Sequence, residues 1–278
     1  MKRLAVIGYP VGHSRSPAMH NAAFAELGLS GEWSYEAIEV APAEFAERVR
    51  ALAAKGFVGV NVTVPHKESA LELADDASEV ASAIGAANTL SFERDAIRAD
   101  NTDATGFLAS LPSAPAGKRA LVLGAGGAAR AVVWALVSEG AEVEIWNRTP
   151  ERAAHLARTF GANAVEVSAG AAEDWRLRTE DYDLIVNATA VGMGVSPDGP
   201  EETGLKALRM DADVFDDRQV VVDLAYGPDE TDLIRAARER GATVVDGLEV
   251  LVRQGAESFR IWTGIDPPLE AMRRAVRS

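Results

Sequence analysis

A lysine and an aspartate in the first half of the chain form a candidate pair for proton transfer. Lys67 follows the predicted strand Gly59–Val64, at the carboxyl end where open α/β sheets bind their ligands. A lysine at a helix start faces the positive end of the helix dipole, so its charge is costly there unless an anion or a carboxylate lies close. Asp103, in the polar segment Asp100–Asp103, is a candidate for that carboxylate. Paired in this way, the two side chains would suit general acid–base chemistry.

Other polar side chains in the first half are candidates for binding a small ligand. Ser14 and Ser16 stand at a helix start with proline in its first turn, where Ser16 suits the N-cap position. A helix N-terminus with an extra serine also suits a carboxylate, so both explanations stay open. Asn61 and Thr63 share one face of their strand, because side chains alternate along a strand. A ligand or exposure at a sheet edge would explain them, and Asn88 adds another amide.

A glycine-rich turn in the second half of the chain has a pattern typical of dinucleotide binding. Residues Leu121–Arg130 run from a buried-type strand through the spacing G-x-G-x-x-A into a helix. Gly124 allows the tight turn, Gly126 lets a pyrophosphate approach the backbone, and Ala129 lets helix and strand pack closely. The free N–H groups at the helix start would bind phosphates. Such turns also arise for packing alone, but here the strand, turn, helix and next strand fall in register.

The residues after the next strand predict which dinucleotide binds. An NAD site has an acidic residue there to hold the ribose hydroxyls, whereas this chain has Arg148 and Arg152. A carboxylate would repel a 2′-phosphate, while an arginine forms charge-assisted bonds to it, typically about 1.5–3 kcal/mol each. Thr149 adds a hydroxyl and would cap the following helix. A plain helix start with surface charges explains Thr149 but leaves Arg148 unexplained, so the pattern favours NADP.

Short β-branched runs alternate with alanine-rich stretches along the chain, which is the pattern of an α/β protein with parallel strands. The proline-containing segment Leu111–Gly117 predicts a boundary between two such regions. The tail from Gly247 predicts two helices broken at Asp266–Pro268, and Val195–Glu202 predicts a polar loop. Strands are predicted at 4–7, 33–38, 59–64, 119–123, 142–146, 184–187, 220–224 and 243–245, and helices at 17–27, 42–55, 67–74, 127–139, 150–160 and 230–240.

Length and composition narrow the class of protein. The 278 residues suit two domains, at roughly 150 residues for each. The absence of cysteine excludes disulfides, thiolate zinc sites, iron–sulfur clusters and a cysteine nucleophile, and no metal site is expected. A net charge of −14 disfavours nucleic acids and anionic membranes as partners. Because no apolar run approaches the length of about 18 residues that spans a membrane, and the one at the start is too short for a signal peptide, we expect a cytoplasmic protein.

Taken together, these segments resemble the shikimate dehydrogenase family, in the same order and over nearly the whole chain. The matching motifs are S-x-S-P at 14–17, N-V-T-V-P-H-K at 61–67, G-A-A-N-T at 85–89, N-T-D at 101–103, G-A-G-G-A at 124–128, N-R-T at 147–149, N-A-T-x-x-G-M at 187–193, D-L-A-Y at 223–226 and G-L-E-V-L-V-R-Q-G-A at 247–256. The resemblance implies an NADP-dependent oxidoreductase that interconverts 3-dehydroshikimate and shikimate in aromatic amino acid biosynthesis. A set of this length is far more specific than the glycine turn alone.

The resemblance also implies the fold and its division. We expect an N-terminal α/β substrate domain and a Rossmann-type, doubly wound NADP domain, with C-terminal helices that return to the N-terminal domain. The expected boundaries are 1–102 together with 247–278 for the substrate-binding and catalytic domain, and 103–246 for the NADP domain.

The resemblance assigns site residues by position. Lys67 and Asp103 would be the catalytic pair and would also contact the substrate. The other substrate-binding residues would be Ser14, Ser16, Asn61, Thr63, Asn88, Tyr226 and Gln254, with the serines on the substrate carboxylate. The cofactor-binding residues would be Glu79, Gly124, Ala125, Gly126, Gly127, Ala128, Asn147, Arg148, Thr149, Arg152, Thr189, Leu224 and Gly247. Of these, Glu79, Leu224 and Gly247 would lie on the nicotinamide half.

Two positions depart from the family pattern. The residue after Asp103 is usually glycine, and Ala104 stands here, which disfavours a positive φ and would change the backbone at Asp103. Ala129 replaces a common serine in the glycine turn and removes one optional hydroxyl.

Two other functions stay open beside the leading one. The same fold with NAD would act on quinate as well, although Arg148 argues against that cofactor. A regulatory protein that binds NADPH without catalysis would have a damaged lysine–aspartate pair, and both residues are present. For partners, we expect a small-molecule substrate, no nucleic acid and no membrane, with the chain as a monomer or a homodimer.

Overall fold

The computed structural model describes residues 1–93, 96–165, 179–193, 204–227 and 229–278. The chain divides into two compact units, residues 1–109 with 251–278 and residues 110–250. The expected boundaries lay after residue 102 and before residue 247, so segment 103–109 falls in the first unit instead of the second, and segment 247–250 falls in the second unit instead of the first. Segment 103–109 lies in the first unit because side chains of that unit, described below, anchor it. The predicted polar loop at 195–202 lies outside the described residues.

The helices and strands follow the predicted alternation. The strands are β1 (Lys2–Gly8), β2 (Trp33–Glu39), β3 (Phe57–Val62), β4 (Asp76–Ala77), β5 (Thr89–Glu93), β6 (Ala96–Asp100), β7 (Arg119–Leu123), β8 (Glu142–Trp146), β9 (Asn163–Ala164), β10 (Leu184–Asn187), β11 (Val220–Asp223) and β12 (Thr243–Val245). The helices are α1 (Ser16–Glu26), α2 (Phe45–Ala54), α3 (Lys67–Leu73), α4 (Glu79–Ile84), α5 (Thr102–Ser110), α6 (Gly127–Ser138), α7 (Pro150–Phe160), α8 (Asp232–Glu239), α9 (Gly247–Thr263) and α10 (Leu269–Arg277). Short 3₁₀ turns lie at Pro42–Glu44, Leu205–Leu208 and Ala212–Val214.

The first unit contains a mixed sheet in the order β2-β1-β3-β5-β6-β4. β1 pairs in parallel with β2 and β3, but β5 runs antiparallel to both β3 and β6. The expectation of parallel strands is therefore wrong for β5. Since β5 ends at Glu93 and β6 begins at Ala96, the connection is too short for the crossover that a parallel pair requires. Apolar side chains from β1, β3 and β5, including Ile7, Val60 and Leu90, form the core on one face of this sheet.

The second unit contains a fully parallel sheet in the order β12-β11-β10-β7-β8-β9. The chain runs outward from β7 to β9 and then returns to build β10, β11 and β12 on the other side of β7. This is the doubly wound arrangement, whose strand order reverses between β7 and β10, and open sheets of this kind bind ligands at the carboxyl edge near such a reversal. Buried leucine, isoleucine and valine side chains of β7, β10 and β11 form its core.

The C-terminal helices pack on the first unit, as expected. α10 lies against α1, and the indole Nε1 of Trp262 in α9 donates to the carbonyl oxygen of Leu90 at 3.2 Å. Gly106 in α5 allows an especially close approach, because a Cβ there would stand 2.5 Å from the backbone of Gln254 in α9. The packing of α5 against α9 therefore requires glycine at this position, and it holds Gln254 in the first unit.

A histidine lies in the core of the first unit without a hydrogen bond. His20 is fully buried, its ring stacks on Tyr35 with centroids 4.2 Å apart, and neither ring nitrogen has a partner. Burial lowers the pKa of His20 from 6.5 to about 3. Below pH 6.5 His20 therefore binds a proton in the unfolded chain, whereas in the folded chain it stays neutral down to about pH 3. The free energy of unfolding thus falls as the pH falls from 6.5 to about 3.

Replacing His20 with phenylalanine should make the stability less sensitive to acid. The variant loses no hydrogen bond. It also removes one titrating group, whose contribution to the pH dependence of the free energy of unfolding approaches about 1.4 kcal/mol per pH unit. Denaturant unfolding between pH 7 and pH 4 would measure this, with His155→Gln, at an exposed position of α7, as the control. If His20→Phe and the wild type lose stability with the same slope, the buried neutral histidine does not govern the acid response.

Candidate functional site

Lys67 begins α3, soon after the end of β3. Its Nζ lies 2.7 Å from Oδ2 of Asp103, and the two side chains are 13% and 19% exposed. The carboxylate therefore offsets the unfavourable placement of a lysine at a helix start. Because the pair is shielded from bulk water but still reachable, the ammonium is positioned to exchange a proton with a small molecule.

Asp103 is anchored in the first turn of α5 by the preceding loop. Oδ1 of Asn101 accepts the backbone N–H groups of Asp103 at 3.1 Å and of Ala104 at 3.4 Å, as a helix cap does. Ala104 is buried inside α5, and among the described residues Arg209 is the only non-glycine residue with a positive φ. Ala104 is therefore in a helical conformation, which alanine adopts without strain.

Asn88 holds the other oxygen of the Asp103 carboxylate. Its Nδ2 lies 2.9 Å from Oδ1 of Asp103 and 3.3 Å from Oε1 of Gln254, and its Oδ1 accepts the backbone N–H of Thr102 at 2.7 Å. Asn88 is 2% exposed. The carboxylate is thus fixed from two sides, by Lys67 and by Asn88, and its orientation does not depend on the lysine alone.

Asn61 is buried and is joined to Asn88, because its Nδ2 donates to the backbone carbonyl oxygen of Asn88 at 3.2 Å. Its Oδ1 accepts from the hydroxyl of Tyr35 at 2.7 Å, and its Nδ2 donates to Oγ1 of Thr89 at 3.1 Å. β3 pairs with β1 and β5, so exposure at a sheet edge does not explain Asn61. Thr63, one residue beyond the end of β3, is half-buried, and the missing side chain of Gly8 leaves room for its methyl group.

The two serines take different places from those expected. Ser16 is the first residue of α1 and is buried, while Arg15 occupies the N-cap position. Oγ of Ser14 accepts the backbone N–H of Ser16 at 3.3 Å. The prediction that Ser16 caps the helix is wrong, because the chain turns one residue earlier and the hydroxyl of Ser14 satisfies a backbone donor of the first turn.

No role was predicted for several residues of the network, although three of them lie in the polar segments 85–90 and 100–103. They are Tyr35, Thr89, Asn101, Thr102 and Ser258. The sequence does contain a signal for Tyr35 and for Ser258. A tyrosine on the buried face of a strand needs a partner for its hydroxyl, and Ser258 is four residues after Gln254, on the same face of α9.

The glycine turn of the second unit has the geometry that its spacing predicts. Gly124 has φ +111°, and a Cβ there would stand 2.9 Å from the carbonyl oxygen of Ala188, so no other residue fits. Gly126 is extended, and a Cβ there would point into open space. α6 then begins at Gly127 without a side-chain cap, on a backbone that is half-buried from Ala125 to Ala128. This leaves an open cradle of backbone, which fits a pyrophosphate.

The loop after β8 lies beside this turn, because the N–H of Gly124 donates to the carbonyl oxygen of Trp146 at 2.8 Å. Nδ2 of Asn147 donates to the carbonyl oxygen of Thr149 at 2.9 Å and so closes the loop. The side chains of Arg148, in this loop, and of Arg152, in the first turn of α7, are exposed. Thr149 occupies the N-cap position of α7, but its side chain makes no capping bond. The prediction that this hydroxyl caps the helix is therefore wrong.

Three more predicted cofactor residues lie at the same edge of the second sheet. Thr189 follows β10, and both its N–H and its hydroxyl donate to Oδ1 of Asn187, at 3.0 and 2.7 Å. Leu224 follows β11, and Gly247 packs so closely that a Cβ would stand 2.8 Å from the carbonyl oxygen of Leu224. Tyr226, predicted to contact the substrate, is half-buried two residues further on.

Glu79 lies in the first unit, exposed at the start of α4. In the part of the chain that the structure describes, no helix is long and apolar enough to cross a membrane. The same residues include no group of three or more histidine, aspartate and glutamate side chains that could hold a metal ion.

Comparison with protein families gives matches along nearly the whole chain. Residues 6–90 match the shikimate dehydrogenase substrate binding domain, residues 109–250 match the family described as shikimate / quinate 5-dehydrogenase, and residues 247–277 match the shikimate 5′-dehydrogenase C-terminal domain.

Individual relatives agree with these matches. The shikimate dehydrogenase (NADP(+)) of Methanopyrus kandleri is 44% identical over 98% of this chain and 94% of its own length. The crystal structure of shikimate dehydrogenase from Aquifex aeolicus has a TM-score of 0.86 and 39% identity, and covers 100% of this chain and 98% of that one. A Thermus thermophilus shikimate 5-dehydrogenase in complex with NADP(H) and shikimate has a TM-score of 0.84 and 41% identity, and covers 100% of this chain and 99% of that one. The chain belongs to the shikimate dehydrogenase family.

Proposed function

We propose that this protein is an NADP-dependent enzyme that reversibly reduces 3-dehydroshikimate to shikimate, in the biosynthesis of aromatic amino acids. The observation that carries the proposal is the ion pair of Lys67 and Asp103, with 2.7 Å between Nζ and Oδ2 and with Asn88 on the second carboxylate oxygen. It is supported by the relatives named shikimate dehydrogenase (NADP(+)) and by the related structure that holds NADP(H) and shikimate.

The residues of the second unit fit NADP(H). We assign the pyrophosphate to the start of α6 and to the open backbone of the glycine turn, where Gly126 presents no side chain. The 2′-phosphate is assigned to the loop after β8, where the exposed Arg148 and Arg152 supply positive charge in a protein of net charge −14. When bound, NADPH supplies a hydride to the ketone carbon of the substrate.

Lys67 supplies the proton. As the ketone is reduced, negative charge grows on its oxygen, and the Nζ ammonium of Lys67 stabilises that charge and donates a proton to it. A general acid step of this kind typically contributes about 10²–10⁴-fold in rate. Oδ2 of Asp103 orients the ammonium, and Asn88 keeps the carboxylate in place. In the reverse direction the pair accepts the proton of the substrate hydroxyl.

The first unit supplies most of the proposed substrate contacts. Ser14 and Ser16, at the start of α1, are assigned to the carboxylate, where the helix dipole favours an anion. The remaining polar side chains are assigned to the ring and its hydroxyls: Asn61, Thr63, Asn88, Tyr226 and Gln254. Asn61 and Asn88 are already hydrogen-bonded within the chain, so their first role is to order the site.

Two alternatives make different predictions. A quinate dehydrogenase that uses NAD needs no positive charge after β8, where this chain exposes Arg148. A regulatory NADPH-binding protein needs no proton donor, and the intact ion pair favours an enzyme over it. We further propose a cytoplasmic location, a small-molecule substrate as partner, no nucleic-acid partner, and a monomer or a homodimer.

Initial rates distinguish these functions. Shikimate and quinate would each be tested with NADP and with NAD, by following the absorbance of the reduced nicotinamide. We expect turnover with shikimate and NADP. Turnover mainly with quinate and NAD would overturn the choice of substrate and cofactor, and NADP binding without turnover of either substrate would favour the regulatory protein.

A further inference from the structure

A buried carboxylate at the end of β11 has no part in the chemistry proposed above. Asp223 is 0% exposed and follows the buried residues Val221 and Val222. It lies at the carboxyl edge of the second sheet, directly before Leu224. A buried charge is costly unless its oxygens are well supplied with donors, so the surroundings of this side chain require an explanation.

Neutral donors from different segments converge on the Asp223 carboxylate. Its Oδ1 accepts from Nδ2 of Asn187 at 2.8 Å and from the backbone N–H of Ala225 at 3.0 Å, and its Oδ2 accepts from the hydroxyl of Thr231 at 2.6 Å. Asn187 ends β10, Ala225 belongs to the loop after β11, and Thr231 is the N-cap of α8. One side chain thus ties the carboxyl ends of adjacent strands to the following helix.

These donors belong to the segments that carry proposed cofactor residues. Oδ1 of Asn187 accepts from the N–H and the hydroxyl of Thr189, so its Nδ2 is left to face Asp223 and the carbonyl oxygen of Val191. Ala225 stands next to Leu224, and its carbonyl oxygen would lie 2.6 Å from a Cβ at Gly247. A change in the position of Asn187 or Ala225 would therefore move Thr189, Leu224 and Gly247.

A carboxylate meets this requirement better than other side chains do. Both of its oxygens only accept, whereas an amide would present a donor to one of the three donors, and an apolar side chain would leave all of them unsatisfied. Burial raises the pKa of Asp223 to about 6, and the hydrogen bonds from Thr231, Ala225 and Asn187 oppose that rise. Desolvation of this carboxylate therefore costs stability, and the three hydrogen bonds offset part of that cost.

We infer that Asp223 is a positioning residue, whose carboxylate sets the shape of the loops after β10 and β11, which carry Thr189 and Leu224; of these, Leu224 is expected to lie on the nicotinamide half of the cofactor. The inference rests on the proposed function. It makes no claim on the 2′-phosphate end, which is assigned to the loop after β8, at strands on the other side of β7. Loss of the Asp223 carboxylate should therefore weaken binding of the nicotinamide half of the cofactor and leave binding of the 2′-phosphate end unchanged.

Calorimetric titration with NADP and with adenosine 2′,5′-bisphosphate, which lacks the nicotinamide, tests this separation. In Asp223→Ala, we expect the Kd of NADP to rise about tenfold or more, because a small misplacement of positioning groups is costly. The Kd of the bisphosphate should stay within about twofold, because its site is unchanged. Asp223→Asn should recover only part of the NADP affinity, since its Oδ1 still accepts from Asn187 and Ala225 while its amide nitrogen faces the Thr231 hydroxyl that donates to Asp223.

Asp183→Ala is the matched control. Asp183 precedes β10 at the opposite edge of the same sheet, is exposed, and accepts the backbone N–H of Arg119 at 2.9 Å. We expect unchanged Kd values for both ligands. If Asp223→Ala does not fold, Asn187→Ala removes one donor of the same network and should show the same split between NADP and the bisphosphate.

The outcomes separate this inference from the proposed function. If the wild type binds neither NADP nor the bisphosphate, the proposed function fails. If the wild type binds both but the folded Asp223 and Asn187 variants weaken both equally, or neither, then Asp223 has a merely structural role and the inference is overturned.

Discussion

Replacing Lys67 with alanine should lower kcat by about 10²–10⁴-fold, the usual contribution of a general acid. The ammonium is 2.7 Å from Asp103 and is held to act on charge that develops only in the transition state, so the loss should fall on kcat more than on KM. NADP binding should change little, because the cofactor is assigned to other residues. Initial rates with shikimate and NADP, together with a titration of NADP, give both quantities.

Two further variants sharpen the Lys67 experiment. Lys67→Met keeps most of the length of the side chain without its charge and should be as slow as Lys67→Ala. Lys55→Ala removes an exposed lysine just after α2 and should leave kcat unchanged. A kcat of Lys67→Ala close to that of the wild type would remove Lys67 from the mechanism. If Lys67 and Asp103 act as a unit, then the double variant Lys67→Ala with Asp103→Asn should lose far less kcat than the product of the two single losses.

Replacing Arg148 with alanine should raise the KM for NADP about 10- to 100-fold, and the KM for NAD by much less. The estimate follows from about 1.5–3 kcal/mol for a hydrogen bond to a charged group, at about 1.4 kcal/mol for each factor of ten. The physical reason is that the 2′-phosphate is the group by which NADP differs from NAD, and Arg148 is exposed on the loop closed by Asn147 and Thr149. Initial rates over a range of each nucleotide measure the two KM values.

An arginine on the next helix provides the control for Arg148. Arg158 lies in the last turn of α7 and is exposed, so Arg158→Ala removes the same charge from the unit without touching the loop. It should leave both KM values within about twofold. Equal increases for NADP and NAD in Arg148→Ala would mean that the 2′-phosphate binds elsewhere.

Local patterns were sufficient where the structure depends on residues close in sequence. The turn from Gly124 to Ala129 has the predicted shape because the strand, the two glycines and the helix start follow one another directly in the sequence. Gly124 adopts its positive φ because glycine has no Cβ. The alternation of strands and helices predicted both units, since apolar periodicity is local. The adverse dipole at Lys67 likewise indicated that a carboxylate must lie nearby, and Asp103 does.

Features that join distant segments could not be predicted in this way. The antiparallel β5 depends on strand pairing, and the short β4, α4 and β9 have too few residues to show a period. Ser14 rather than Ser16 accepts a backbone donor of α1, because the exact residue where the chain enters a helix depends on packing. The helix over residues 102–110 was not predicted, since this segment has only a weak local signal.

Residue types and their local spacing were enough to identify the candidate site residues and the sheet edges on which they lie. How these residues are held depends on contacts that form only in the folded chain. Asn88 fixes Asp103 across a separation of 15 residues, Gly106 admits the backbone of Gln254, and Asp223 gathers donors from β10 and α8. Each of these contacts joins segments far apart in the chain, and it forms because a buried polar group must find a partner wherever folding brings one within reach.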